Sequence, residues 1–131
     1  MPKVNYPHKI LIVEDDQPML DALTDNLLAA GFNQLLMARN GQDALDLTLK
    51  NSPDLILLDI VLPKMDGMTM LKKLREDPLG KKTKVILLTN LTADDSILSG
   101  IVSGEPAYYL VKAEHSIKDV IDKVKSVLQV I

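Results

Sequence analysis

The sequence predicts a doubly wound α/β domain, a parallel sheet of five strands with five helices packed on its two faces. Three observations carry that prediction. Short apolar runs alternate with stretches of helical periodicity, the pattern of repeated βα units. The run Leu55-Ile56-Leu57-Leu58 is apolar throughout, as suits a strand covered on both faces. The chain has 131 residues, enough for a single domain with a core, expected to span 1–131 with its folded part at about 8–130.

Each element follows in order. The first strand is expected over Lys9 to Val13, and its helix begins near Asp16, an N-cap candidate, with Pro18 in the first turn where a missing N–H does no harm. Leu20, Leu23, Leu27 and Ala30 share one helical face, and Gly31 ends the helix. A second strand, Gln34 to Ala38, leads through Asn40-Gly41 into a helix carrying Ala44, Leu45 and Leu49, which Asn51-Ser52-Pro53 terminates. Strand three is Leu55 to Leu58. Asp66-Gly67 opens a helix with Met68, Leu71 and Leu74, and Asp77-Pro78 closes it. Strand four is Val85 to Leu88. Ala93 to Ser103 is read as the fourth and least stable helix, because Gly100 lies in its interior. Strand five runs from about Ala107 to Val111. The last helix is the clearest, with Ile117, Val120, Ile121, Val124, Leu128 and Ile131 in one stripe.

Composition removes several function classes. A net charge of −3 without a basic block argues against direct nucleic-acid binding. The absence of cysteine removes disulfides, thiolate zinc sites and thiol nucleophiles. There is no apolar stretch of membrane-spanning length, and Met1 to His8 lacks the apolar core of a secretory signal, so no membrane partner and a cytoplasmic location are expected.

The chemistry concentrates where the strands end. In a parallel sheet all carboxyl ends share one edge, and ligands bind there. Ile10-Leu11-Ile12-Val13 ends in Glu14-Asp15-Asp16, Leu55-Ile56-Leu57-Leu58 in Asp59, Val85-Ile86-Leu87-Leu88 in Thr89, and Tyr109-Leu110-Val111 in Lys112. That set of carboxylates, hydroxyl and ammonium suits Mg²⁺ and a phosphoryl group. Asp15 and Asp59 are the candidate direct ligands, with Glu14 acting directly or through a water. Asp59 is the candidate acceptor of an aspartyl phosphate, with Thr89 and Lys112 contacting the phosphoryl oxygens. Singly, each residue has a plainer reading, as a helix cap, a turn residue or a solvated charge. Their joint occurrence on four of five strands favours a site. His8 and His115 read as surface residues, and Tyr108 as a packing residue.

At this point the chain resembles the receiver domain of two-component response regulators, over nearly its whole length. Glu14-Asp15 is similar to that family's acidic pair. Leu57-Leu58-Asp59, with Pro63 and Met65-Asp66-Gly67, is similar to its phosphoacceptor loop, and Leu88-Thr89 and Tyr109-Leu110-Val111-Lys112 to its hydroxyl and lysine motifs. The resemblance implies a flavodoxin-like receiver fold with strand order 2-1-3-4-5 and helices split two and three between the faces. It implies phosphotransfer to Asp59 from the phosphohistidine of a sensor histidine kinase or histidine phosphotransfer protein, and it adds the Val61 backbone carbonyl to the metal ligands. Thr89 and Tyr109 would be the switch residues, acting on a downstream protein or attached output domain, with possible homodimerisation through the face of the fourth helix, fifth strand and fifth helix. The chain itself shows no output domain and would be no enzyme beyond its own phosphotransfer and dephosphorylation. Three departures stand out: Ala113 after Lys112 in place of the usual proline, one extra residue near Gly104-Glu105-Pro106-Ala107, and Asn90 after Thr89 in place of a small residue, where it would alter the lifetime of the phosphoryl group.

Two other readings remain open. A receiver-like binding or dimerisation module that is never phosphorylated would fold alike but would not bind Mg²⁺ at this edge. An aspartyl-nucleophile hydrolase of related design wants a second aspartate two residues after the first, and Val61 stands there.

Overall fold

The computed structural model describes residues 4–90 and 108–130. Five strands, β1 (Tyr6–Val13), β2 (Phe32–Ala38), β3 (Leu55–Leu58), β4 (Lys84–Thr89) and β5 (Tyr108–Val111), form one parallel sheet in the order β2-β1-β3-β4-β5. The expected order is therefore observed. Four α-helices lie among the described residues: α1 (Gln17–Ala30), α2 (Gly41–Asn51), α3 (Gly67–Glu76) and α4 (Ile117–Leu128). The helix expected over 93–103 and the longer loop after it lie outside the described residues. No described helix is long and apolar enough to cross a membrane.

The period of two in the strands divides the core. Ile10, Ile12, Leu55, Leu57, Ile86 and Leu88 face one side, where Leu20, Leu23 and Leu27 of α1 and Val120, Ile121 and Val124 of α4 cover them. Leu11, Val13, Ile56, Leu58, Val85 and Leu87 face the other, under Ala44 of α2 and Met70, Leu71 and Leu74 of α3. Both faces of the central strands are thus buried, which is why their sequences read as unbroken apolar runs.

Local chemistry fixes the helix ends. Asp16, Asn40, Asp66 and Ser116 each accept a backbone N–H of the first turn, from Met19, Asp43, Thr69 and Asp119 respectively. Gly31 closes α1 in the left-handed region at φ 108°. Strands β1 and β2 begin earlier than expected, at Tyr6 and Phe32. The Tyr6 and Phe32 rings meet at 4.7 Å, and the Tyr6 N–H donates to Gly31 O at 2.8 Å. The register shifts between Tyr6 and Lys9, the interval that holds Pro7 with no N–H to give. These pairings are long-range, and local pattern carries no sign of them.

Candidate functional site

Strand register delivers the polar residues to one edge. Val13 pairs with Leu58, Leu58 with Leu87, and Thr89 with Val111, so Glu14, Asp59, Thr89 and Lys112 end or follow neighbouring strands at a common level. Glu14 and Thr89 are buried, Asp59 is nearly so, and Lys112 is largely covered. Lys112 Nζ donates to Asp59 Oδ2 at 2.9 Å and to Glu14 Oε1. One ammonium thus bridges two carboxylates.

The electrostatics distinguish the two acids. Burial, and then the adjoining Asp59 carboxylate, push the Glu14 carboxyl up to about 7, against the pull of Lys112. For Asp59, burial acts upward too, but Glu14, Lys112 and the Thr89 hydroxyl outweigh it and hold the carboxyl below its ordinary range. Burial likewise disfavours the Lys112 ammonium, yet its bonds to Glu14 and Asp59 keep its pKa above the ordinary value. A near-neutral solution therefore finds Asp59 ionised and Lys112 charged, which is the state a nucleophilic carboxylate beside a cationic clamp requires.

The loop after Asp59 is tied on both sides. The Val61 N–H donates to Asp59 Oδ1 at 3.3 Å, the Gly67 N–H to Ile60 O at 2.8 Å, and the Gly41 N–H to Met65 O at 2.8 Å. A Cβ at Gly67 would stand 2.1 Å from Asp59 O, so only glycine lets α3 start this close to the Asp59 backbone. Lys64, at φ 65°, makes the left-handed step inside that loop.

The remaining candidates are placed differently. Asp15 is exposed and is not drawn in with Glu14 and Asp59. Adjacent residues leaving a strand point to opposite sides. Among the described residues no three His, Cys, Asp or Glu side chains converge as a metal cluster. Val61 is 61% exposed in the loop, and Tyr109 is half-buried against the α2–α3 face. Tyr108 is exposed rather than packed, with Lys123 Nζ 4.2 Å above its ring, because the edge strand leaves that face to solvent. His8 departs from its surface reading: it is half-buried, with Nδ1 sealed from solvent. The Lys112–Ala113 bond is trans and opens a 3-10 turn, Lys112–Glu114. Asn90 lines a groove of about 490 Å³ beside Glu14, Lys112, Ala113 and His115.

Sequence reasoning missed Arg39. Its Nη2 donates to Asp15 O at 2.7 Å, and the Glu14 N–H donates to Ala38 O at 3.0 Å, so the end of β2 holds the acidic turn. The signal was available, since Arg39 follows the last apolar residue of β2 as Asp59 follows that of β3.

Comparison with known proteins gives a consistent result. The profile of the response regulator receiver domain matches residues 10–125. A protein-glutamate methylesterase/protein-glutamine glutaminase of Archaeoglobus fulgidus is 40% identical over 86 residues, 66% of this chain and 24% of its own length. The response regulator PleD of Caulobacter vibrioides is 34% identical over 96 residues, 73% of this chain and 21% of its own. The chain therefore spans about a quarter or less of the length of these curated relatives. The crystal structure of a putative response regulator from Chloroflexus aurantiacus superposes with a TM-score of 0.82 at 32% identity, covering 95% of this chain and 99% of that one. The Mn²⁺-bound form of the response regulator Rcp1 is similar at a TM-score of 0.76 and 27% identity, over 92% and 91% of the two chains. On the profile match and the identity to solved receivers, this chain belongs to the response regulator receiver domain family of two-component systems.

Proposed function

We propose that this chain is the phosphoacceptor module of a two-component phosphorelay, with Asp59 as the acceptor. The observation that supports it best is the bridge from Lys112 Nζ to Asp59 Oδ2 at the carboxyl edge, with Thr89 beside it. An Asp59 carboxylate oxygen attacks phosphorus of a phosphohistidine. The new O–P bond forms as the P–N bond breaks, and the imidazole leaves with the electron pair. Lys112 and Thr89 meet the charge on the phosphoryl oxygens, and the Val61 N–H adds a backbone donor. The donor would be a sensor histidine kinase or histidine phosphotransfer protein.

The edge fits a hard divalent cation. Its free donors are oxygens, and Glu14 Oε2 is buried without a hydrogen-bond partner. Asp59, Asp15, Glu14 and the Val61 carbonyl would hold Mg²⁺, with Asp15 turning in from solvent and Glu14 giving up Lys112 or reaching through a water. Bound there, the ion would screen the acids from one another and from the incoming phosphoryl group. Phosphorylation then biases Thr89 and Tyr109, and through them a downstream protein or attached output domain.

Intact mass after incubation with acetyl phosphate and Mg²⁺ tests the reading. One added phosphoryl group is expected, absent without Mg²⁺ and absent in Asp59→Asn. An unmodified wild-type chain that also fails to respond to beryllofluoride overturns it.

A further inference from the structure

At the opposite edge of the sheet, charge and shape combine in a way the phosphoacceptor chemistry does not use. Residues 72–84 hold six of the fifteen lysines and arginines and only two acids, so this stretch is +4 within a chain of −3. Its loop, 77–83, is firmly built. Arg75 Nη1, from the last turn of α3, donates to Gly80 O and Thr83 O, both at 2.7 Å, and Asp77 Oδ1 accepts the Leu79 N–H at 2.9 Å. Gly80 lies so close to α3 that a Cβ would meet Leu74 O at 2.2 Å.

What this bracing displays is Leu79, 67% exposed and the most exposed large apolar residue among those described. A residue whose backbone is already fixed, here by the Asp77 carboxylate on the Leu79 N–H, loses less entropy when its exposed side chain is covered. Leu79 forms one wall of a cavity of about 460 Å³, with Leu128 and Pro53 as further apolar lining and Lys82, Lys84 and His8 around them. The single acid there, Asp54, is already engaged by the Lys9 N–H at 2.7 Å. Lys84 Nζ is anchored to Val127 O at 3.1 Å, so its charge is held at the rim.

We propose that this amino-edge cavity docks an acidic segment of a partner protein that carries one large apolar side chain. The apolar side chain fills the space between Leu79 and Leu128, and the acids pair with Lys82 and Lys84, the latter held at the rim. Charge complementarity chooses the partner and sets its on-rate, while the buried side chain supplies specificity. Because the cavity lies across the sheet from Asp59, a partner held there leaves the phosphoacceptor open and stays attached while phosphotransfer proceeds.

The test is an amide NMR titration of the isotopically labelled chain with a short synthetic peptide of aspartates and glutamates around one phenylalanine. Saturable shifts confined to Leu79, Lys82, Lys84 and Leu128 are expected. Affinity should drop about tenfold when serine replaces the phenylalanine, and about as much in Leu79→Ser or in a Lys82→Glu variant. Leu79 and Lys82 are solvent-exposed, so the unchanged amide spectrum of each variant reports an intact fold. Equal binding of the serine peptide, shifts that do not saturate, or capture by anionic phospholipid vesicles but not by the peptide would each overturn the proposal.

Discussion

The two edges of this sheet hold their charges in opposite ways. At the carboxyl edge the central bonds join side chain to side chain, Lys112 bridging Glu14 and Asp59. Backbone enters around them, through Arg39 on Asp15 O and the Val61 N–H on Asp59. At the amino edge, charges bind backbone. Lys9 Nζ takes Asn51 O at 3.0 Å, Lys84 Nζ takes Val127 O, Arg75 takes Gly80 O and Thr83 O, and Asp54 accepts the Lys9 N–H. A backbone carbonyl cannot titrate or move without the fold, so such a bond is fixed. Two carboxylates sharing one ammonium can exchange it for a proton or a divalent ion. The same α/β frame therefore carries a responsive edge and a static one.

Two glycines give the largest test of that contrast. A Cβ at Gly67 meets Asp59 O at 2.1 Å, and one at Gly80 meets Leu74 O at 2.2 Å, so the steric insult is alike. Each Ala variant should lose about 3 kcal/mol in urea unfolding, at the upper end for overpacking. Their effects on phosphorylation should diverge. Gly67→Ala displaces the backbone that carries Asp59 and should lose most of its acetyl phosphate adduct by intact mass. Gly80→Ala should keep it. Equal loss of adduct in both would mean that global stability, not placement of Asp59, controls uptake.

That pairing also shows what the sequence could reveal. Glu14, Asp59, Thr89 and Lys112 were legible because an apolar run that ends in a polar residue marks a strand's carboxyl end, and parallel strands align those ends. The rule was applied to four runs and would have found Arg39 on the fifth. It could not say that Asp15 faces solvent, since that depends on how the chain leaves the pleat. Of the amino edge the sequence shows the basic excess of 72–84 but not its architecture. Asp77-Pro78 reads as a helix stop, and nothing local says that Arg75 reaches forward to carbonyls five and eight residues on, or that the loop packs near His8 and Leu128. Local pattern records burial and period, whereas bracing between distant segments is written only in three dimensions.

A second test compares pH signatures. Arg75→Met frees the Gly80 and Thr83 carbonyls from a charged donor and should cost about 2 kcal/mol, little changed from pH 5 to 8, because those carbonyls do not titrate. Glu14→Gln should differ. The folded protein holds the Glu14 proton up to about 7, against an ordinary value of 4.5, so this group's contribution to stability is fully present below 4.5 and is lost as pH rises to about 7. Asp59 is shifted the other way and acts only below its ordinary 3.8, outside this window. In metal-free buffer Glu14→Gln should match wild type near pH 4.5 and exceed it by about 1 kcal/mol or more at pH 8. Urea unfolding across pH reads both variants, and a flat difference for Glu14→Gln would remove the responsive character assigned to this edge.

The smallest expected effect concerns a residue whose change should leave the fold alone. Asn90 is exposed, follows Thr89 and lines the groove that also touches Glu14 and Lys112. An exposed substitution of this kind should move stability by no more than about 0.5 kcal/mol. That groove meets Glu14 and Lys112, which adjoin Asp59, so a water approaching the proposed Asp59 acyl phosphate from this side would pass Asn90. Trimming it in Asn90→Ala opens that approach and should shorten the lifetime of the phosphoryl group severalfold, measured as decay of the phosphorylated mass after the donor is removed. The matching change at the static edge, Lys82→Ala, removes an equally exposed side chain and should leave that decay untouched. If both variants decayed at the wild-type rate, the groove beside Lys112 would not govern access of water, and the lifetime would have to be set by the buried groups around Asp59 alone.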